Sequence, residues 1–256
     1  LERSLIGANE EFFGSKLAYQ IDSGTEQTPQ ARITQEGDSF GYDRETNHLT
    51  IPEEGGKEGL AYFSRVLADA NSVSQGLLPL HAAAVRKNRI TLVLLAGSNG
   101  GKSLISDYLA QEQGAELVGD DHIIIGNGQI TGNRFIGKRD SRGDKTYKEI
   151  QERDNCLELG DYVVIVLDAN TEGRTKFKRI DPATLLQNKN VREGIQKYLV
   201  EDVQEDSRKV IESVRNPDVL ERYDLALRSF IQGAQELYAV SGEKQYVGEK
   251  IGGILK

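Results

Sequence analysis

One segment constrains the fold more than any other, because an apolar stretch, a glycine-rich turn and an amphipathic helix follow one another over residues 90–110 (ITLVLLA, GSNGG, KSLISDYLA). The stretch ITLVLLA is apolar on both faces, which is typical of a central strand covered on both sides. Glycines let backbone N–H groups converge on phosphate oxygens, and the start of the following helix adds partial positive charge. The order strand, glycine turn, helix therefore predicts a phosphate-binding turn.

The turn departs by one residue from the P-loop pattern G-x-x-x-x-G-K-[ST]. Here Gly97 and Gly101 enclose only Ser98, Asn99 and Gly100. The chain also contains no methionine, and a methionine between Gly100 and Gly101 would complete the pattern. We hypothesise that the natural chain carries a residue there that this sequence lacks, which the intact mass of the natural protein tests.

The turn and the first helical residues together predict a nucleotide site. We expect the backbone of residues 97–101 to hold the phosphates, Lys102 to reach the β- and γ-phosphates, and the Ser103 hydroxyl to bind Mg²⁺. The alternative is a glycine-rich turn that binds nothing, since Gly-Lys-Ser alone is a weak signal. The strand before the turn and the helix after it favour nucleotide binding.

Two adjacent carboxylates, Asp120 and Asp121, follow the strand-like segment ELVG, with Asp120 17 residues after Ser103. That spacing suits one helix and a return to the next strand, so both are expected at a strand's carboxyl end, where open α/β sheets bind ligands. Adjacent strand residues point to opposite faces, so one would hold Mg²⁺ and the other would accept a proton from a hydroxyl. A solvated Gly-Asp-Asp turn is the alternative.

A histidine, His81, opens the strand-like segment HAAAV that precedes the apolar strand. We expect it to lie beside the phosphate site, where it would contact phosphate or assist proton movement. The alternative is a histidine with an ordinary structural role at a strand end. His48 lies in the acidic N-terminal third and is assigned no role.

Three segments, LHAAAV, AGSNGGKS and LVGDDH, together resemble the HPr kinase/phosphorylase superfamily, and most of all its HPr-kinase-related branch. Members share a histidine that opens a strand, a P-loop on the next strand and an Asp-Asp pair after the first helix. The resemblance is specific over residues 79–125 and loose over 160–256. It departs from true HPr kinases at Ala82, where they typically have glycine, and in the segment after Gly132, which lacks their glycine-rich signature.

The resemblance implies an α/β fold with a phosphoenolpyruvate-carboxykinase-like nucleotide-binding core. It implies an ATP-dependent, Mg²⁺-dependent kinase that acts on a hydroxyl, most often of a protein serine. Carried over by motif, Lys102 and Ser103 bind the phosphates and Mg²⁺, Asp120 is the general base, Asp121 lies near the metal and His81 lies on the phosphate side. A homo-oligomer is compatible with it, because members often assemble. Because of these departures, the resemblance does not imply that HPr is the acceptor. It does not imply a reverse phosphorylase activity either.

The stretch 134–153 is the one concentrated basic segment, with seven basic and four acidic side chains. It is polar and contains glycine over more than a dozen residues, so we expect a loop that acts as a lid or is disordered. Its cations would clamp the γ-phosphate or an anionic acceptor; the candidates are Arg134, Lys138, Arg139 and Arg142. The alternative is a solvated loop without function.

Three functions compete on these residues. The first is transfer of the ATP γ-phosphate to the hydroxyl of a protein, peptide or small-molecule alcohol. The second is a regulatory module that binds nucleotide without transfer. The third is a P-loop NTPase in which Asp168, at the end of VVIVLDAN, serves as the Walker B residue. A GTPase is disfavoured, because Asn188-Lys189 is not continued as N-K-x-D.

Composition narrows the class of protein. The 256 residues carry a net charge of −8, which argues against a general nucleic-acid binder. The longest apolar run is too short to cross a bilayer, the first residues lack the order of a signal peptide, and a single cysteine excludes a disulfide framework. We therefore expect a cytoplasmic protein with no membrane partner.

The remaining segments predict two regions. Residues 1–76 are read as a strand-rich subdomain, with strands at LAYQI, ARITQ and SFGYD and a helix over 58–70. Residues 77–256 are read as the kinase-like core with C-terminal helices. In this region Asn127-Gly128 predicts a hairpin turn, Asp181-Pro182 a helix start, and residues 191–214, 217–235 and 243–254 further helices.

Overall fold

The computed structural model describes residues 32–46, 48–53, 56–97, 100–132, 135–139, 145–149, 156–169, 174–188, 192 and 211–255. Helices and strands are mixed, as expected for the α/β class. The strands are β1 (Arg32–Gln35), β2 (Gly41–Asp43), β3 (His48–Ile51), β4 (Leu78–Leu80), β5 (Ala82–Lys87), β6 (Ile90–Leu95), β7 (Glu116–Gly119), β8 (Ile123–Gly126), β9 (Gln129–Gly132), β10 (Phe135–Arg139), β11 (Lys145–Glu149), β12 (Cys156–Glu158), β13 (Asp161–Asp168), β14 (Lys176–Arg179) and β15 (Glu236–Ser241). The helices are α1 (Gly56–Ser74), α2 (Lys102–Gln113), α3 (Pro182–Gln187), α4 (Pro217–Gly233) and α5 (Lys244–Gly252).

The central feature is a six-stranded sheet in the order β14-β15-β13-β6-β5-β7. Strand β13 runs parallel to both β6 and β15. Strand β5 is antiparallel to both β6 and β7, so β7 points in the same direction as β6. The carboxyl ends of β6, β7, β13 and β15 therefore meet at one edge of the sheet, which we call the carboxyl edge.

Apolar side chains cover both faces of this sheet, because successive strand residues point to opposite sides. On β6, Leu92 and Leu94 belong to one core and Val93 and Leu95 to the other. The Leu92 side is covered by α2 and α5. The Val93 side is covered by α1, α4 and residues of the four-stranded sheet. Strand β6 is therefore a central strand that is covered on both faces, as its sequence predicts.

The second sheet has the order β12-β9-β8-β4. Its β8–β9 hairpin turns at Asn127 and Gly128, whose φ angles of +53° and +72° suit the Asn-Gly turn predicted from the sequence. Strand β9 approaches β7 so closely that a Cβ on Gly132 would lie 2.4 Å from the Cα of Gly119. This contact joins the second sheet to the central one beside the carboxyl edge.

The N-terminal part that the structure describes forms a small sheet, β1-β3-β2, followed by α1. Strands β1 and β2 correspond to the predicted strands ARITQ and SFGYD, whereas LAYQI lies outside the described residues. Leu49 and Ile51 of β3 and Val66 and Val73 of α1 pack in the same core as the central sheet. This small sheet and α1 therefore pack on the Val93 side of the central sheet.

The C-terminal predictions are largely confirmed where the structure describes the chain. Asp181 caps α3, since its Oδ1 accepts a hydrogen bond of 2.8 Å from the Thr184 N–H. Helices α4 and α5 match two of the predicted helices, and most of 191–214 lies outside the described residues. No helix among the described residues combines the length and apolar character that a membrane span requires.

The basic stretch differs from the prediction. Its described parts are not loop: residues 135–139 and 145–149 pair as an antiparallel ribbon, β10–β11. The segments FIGKR and KTYKE contain Phe, Ile, Thr and Tyr, which favour strands, and the polar character of the stretch hid this signal.

Candidate functional site

Sheet topology brings three predicted elements to the carboxyl edge. Ala82 of β5 pairs with Leu95 of β6, which sets the preceding His81 beside the start of the glycine turn. On the other side of β5, Ala84 pairs with Gly119, the last residue of β7, so the aspartate pair emerges at the same edge. The histidine, the turn and the aspartates are thus neighbours across β5, as the sequence predicts.

The glycine turn is tightly packed against the end of β13. The Gly100 N–H donates to the Gly97 carbonyl oxygen at 3.1 Å, and the Gly100 carbonyl accepts from the Ala169 N–H at 3.3 Å. A Cβ on Gly100 would lie 2.5 Å from the Ala96 Cβ, and a Cβ on Gly101 would lie 2.8 Å from the Ala169 Cβ. Gly101 also has a φ of +91°, which disfavours residues with a Cβ. Both positions therefore require glycine.

Helix α2 begins directly at the end of the glycine turn. Its N-cap is Gly101, which offers no side chain to cap the helix, and the Ile105 N–H donates to the Gly101 carbonyl oxygen at 2.9 Å. The N–H groups of the first three helical residues have no intrahelical partner. Such a helix start favours anions.

The predicted P-loop lysine folds back over the turn. Lys102 is 6% exposed, and its Nζ donates to the carbonyl oxygens of Ala96 at 3.0 Å and Gly97 at 3.4 Å. Ser103 is half-buried in the first turn of the helix. The structure thus holds the Lys102 side chain, with little access to solvent, against the turn that the sequence assigns to phosphate.

The two aspartates are in different surroundings. The strand ends at Gly119, and Asp121 has a φ of +67°, so the pair forms a bend instead of continuing the strand. Asp120 has no exposed surface. The Asp121 side chain is 28% exposed, and its Oδ1 lies 3.0 Å from Nε2 of His81, which is itself buried. The difference between the aspartates comes from this bend, and only Asp121 offers a carboxylate to solvent.

A third carboxylate, Asp168, ends β13 at the same edge. It is exposed, and β13 is paired directly with β6, which leads into the glycine turn. The Asp168 carbonyl accepts from the Gly242 N–H at 3.2 Å, and the following residue, Ala169, is bonded to the turn. The residue considered as a Walker B aspartate therefore also lies at the carboxyl edge.

The remaining predicted residues are described only in part. Ser98, Asn99, Arg134 and Arg142 lie outside the described residues. Lys138 and Arg139 are in β10, of which the backbone is described, and β10 lies close to α2. The basic ribbon therefore begins beside the helix that carries Lys102.

Sequence reasoning missed a buried polar cluster behind the aspartates. His122 Nε2 lies 2.9 Å from Asp69 Oδ1, and Nε of Arg65 lies 3.6 Å from the same oxygen. Burial, followed by the positive charge of Arg65, lowers the pKa of His122 to about 4, so the ring is neutral near pH 7. The sequence did contain a signal for this cluster, because Arg65 and Asp69 lie beside Val66 and Ala70, which are on the apolar face of α1.

In the part of the chain that the structure describes, no three His, Cys, Asp or Glu side chains converge as metal ligands. A nucleotide-bound Mg²⁺ needs only one or two protein oxygens, because phosphates and water complete its coordination. Ser103 and one carboxylate of the edge are enough for that kind of site.

No protein-family model matches the chain, and no curated protein matches it. What the chain does is therefore inferred from the geometry and chemistry of the carboxyl edge.

Proposed function

We propose that this protein is a Mg²⁺- and ATP-dependent phosphotransferase with a phosphoenolpyruvate-carboxykinase-like P-loop core. Its acceptor is a hydroxyl of a protein, a peptide or a small-molecule alcohol. The observation that carries the proposal is the meeting, at one sheet edge, of a glycine turn, a buried lysine and an aspartate held by a histidine. Each of these groups has a distinct task in phosphoryl transfer.

The phosphate side of the proposal rests on the turn and on Lys102. The turn leaves no room for Cβ atoms at Gly100 and Gly101, and helix N–H groups point from its end. Lys102 donates to two carbonyl oxygens, and a phosphate oxygen would add the attraction of opposite charges to the hydrogen bond of an ammonium group. Lys102 would therefore exchange the carbonyls for phosphate oxygens and stabilise the charge that develops during transfer.

The acceptor side rests on Asp121 and His81. A general base must reach the proton that it takes, and Asp121 has exposed surface whereas Asp120 has none. We therefore assign the base to Asp121 and a supporting role to Asp120, whereas the sequence resemblance implies Asp120 as the base and Asp121 near the metal. His81 orients the carboxylate through Oδ1, so the proton of the acceptor hydroxyl would pass to Oδ2.

The magnesium ligands follow from the same edge. Ser103 is on the first turn of α2, and Asp168 is the exposed carboxylate at the carboxyl end of β13, which is paired with β6. Hydroxyl and carboxylate oxygens suit Mg²⁺. Bound ATP would supply the phosphoryl group and Mg²⁺ would offset part of its negative charge, while residues of the carboxyl edge orient both.

The exposed position of Asp168 also favours a second candidate function, a P-loop NTPase in which water replaces the hydroxyl acceptor. In that case Asp168 is essential and Asp121 is dispensable. The third candidate is a regulatory module that binds nucleotide without transfer. Such a protein would bind Mg²⁺-ATP but give no product with any acceptor.

The nucleotide site is tested by Lys102→Ala. Loss of one charge-stabilising group costs about 2–4 kcal/mol, so turnover should fall by about 10²–10³-fold. Lys87→Ala is the matched control, because Lys87 also donates to a backbone carbonyl, that of Gln113 at the opposite end of α2. Calorimetry measures the Mg²⁺-ATP affinity of both variants, and a turnover assay measures their activity. If both variants have the same affinity and the same turnover, the nucleotide site lies elsewhere.

The base is tested by Asp121→Asn and Asp120→Asn, assayed with labelled ATP and a host extract. Asp121→Asn should keep Mg²⁺-ATP affinity and lose about 10²–10⁴-fold in transfer. Asp120→Asn should act mainly on stability. The reverse pattern would return the base to Asp120, and loss of activity only in Asp168→Asn would favour the NTPase.

A further inference from the structure

The core behind the carboxyl edge contains a buried polar cluster made of Arg65, Asp69 and His122. Each is about 4% exposed, and the surrounding core is formed by apolar side chains of α1, α4 and the central sheet. Buried polar and charged groups are costly unless they are paired with each other. The three residues lie outside the set proposed for phosphate transfer, so their retention in the core calls for a separate role.

The cluster is organised around one carboxylate oxygen. Asp69 Oδ1 lies 2.9 Å from His122 Nε2 and 3.6 Å from the Arg65 Nε, and both Asp69 and Arg65 come from the same face of α1. Because burial lowers the pKa of His122, the ring is neutral, and a neutral ring hydrogen-bonded at Nε2 donates its single N–H to Asp69. The histidine is therefore fixed in position and in tautomer.

The cluster is connected to the candidate base through the backbone. His122 directly follows Asp121, whose φ of +67° lies in the left-handed region, which aspartate is one of the few residues with a Cβ to adopt. The bend is restrained on two sides: His81 bonds the Asp121 carboxylate at the carboxyl edge, and Asp69 bonds the next residue from inside the core. Releasing either restraint would let the bend relax and change the direction of the carboxylate.

We propose that Asp69 is a positioning residue, which holds the bend of residues 120–122 through His122 and so aims the Asp121 carboxylate at the acceptor hydroxyl. This inference rests on the proposed function for its catalytic consequence, while the structural link between Asp69 and Asp121 stands independently. It assigns a task in the chemistry to α1, a helix that contributes no residue to the site itself.

The test removes the restraint at His122 and then restores it. His122→Leu deletes the donor to Asp69, whereas His122→Gln keeps an amide N–H near the position of Nε2. Tyr162→Phe is the control, because it removes a buried hydroxyl in the same core that donates to the Phe230 carbonyl oxygen and not to the cluster. Asp69→Leu with Arg65→Leu removes the partner charges together, in case the single change at His122 prevents folding.

The first readout is independent of catalysis: the ring signals of His81 in nitrogen-15 NMR, in a chain with three histidines. We expect them to move in His122→Leu and in the double variant, and to stay in place in His122→Gln and Tyr162→Phe. Unchanged His81 signals in His122→Leu, or in the double variant if His122→Leu does not fold, overturn the inference.

The second readout is steady-state transfer. In His122→Leu, kcat should fall at least tenfold while KM for ATP changes less than twofold, and His122→Gln should recover most of kcat. If kcat fell equally in Leu and Gln variants, in step with their melting temperatures, the cluster would be merely structural. If the His81 signals move as expected but the unaltered protein transfers no phosphate, the link to Asp121 holds and the proposed function fails.

Discussion

The packing of the glycine turn makes a sharp prediction about two glycines three residues apart. Gly100→Ala places a Cβ 2.5 Å from the Ala96 Cβ, 3.2 Å from the Gly97 carbonyl oxygen and 3.3 Å from the Leu167 carbonyl oxygen. Gly97→Ala meets no atom within 4 Å, and Gly97 has no left-handed φ. The same chemical change should therefore have opposite consequences at the two positions.

The magnitude follows from the contacts at Gly100. Carbon atoms pack best at about 3.5–4.0 Å, so the new methyl group must move by about 1 Å relative to Ala96. Ala96 is buried, and the other two contacts are backbone atoms that cannot rotate away. Overpacking of this kind costs about 1–3 kcal/mol. At Gly97 the same change should be neutral or stabilise by up to about 1 kcal/mol, because alanine restricts the unfolded chain.

Urea unfolding measures the difference, followed by far-UV circular dichroism because the chain has no tryptophan. Gly100→Ala should lower the free energy of unfolding by about 1–3 kcal/mol. It should also weaken Mg²⁺-ATP binding, since it displaces the carbonyls that hold Lys102. Ala96→Gly in the same chain removes the shortest contact and should recover part of the loss. Equal stability of the Gly100→Ala and Gly97→Ala variants would refute the packing described for the turn.

Two further predictions concern charge. Because the pKa of His122 is about 4 in the folded protein and about 6.5 when unfolded, its stabilising contribution is complete above pH 6.5 and is lost as the pH falls towards 4. The loss of unfolding free energy should approach about 3 kcal/mol, at about 1.36 kcal/mol per pKa unit. His122→Gln should remove this pH dependence from a plot of unfolding free energy against pH. Parallel plots for the two proteins would contradict the prediction. Neutralising Lys138, Arg139 and Arg142 together should impair transfer and reduce its salt sensitivity while leaving the unfolding free energy nearly unchanged. Normal transfer by this triple variant would show that the ribbon only carries solvated charge.

Local rules account for what could be predicted from the sequence. The run of β6, the glycine turn and the start of α2 at Lys102 were predicted from the sequence, because strand alternation, glycine chemistry and helix periodicity act over a few residues. The Asn127-Gly128 hairpin and the Asp181 cap follow from equally local chemistry. The motif order also predicted that His81 and the aspartates would lie near the turn.

Only the tertiary structure decided how these groups face one another. The insertion of antiparallel β5 between β6 and β7 brings His81 to Asp121, and the bend after Gly119 exposes one aspartate and buries the other. The contact between Asp69 and His122 joins residues 53 positions apart. Such pairings depend on packing summed over the whole core, whereas sequence patterns report only which face of a single element is apolar.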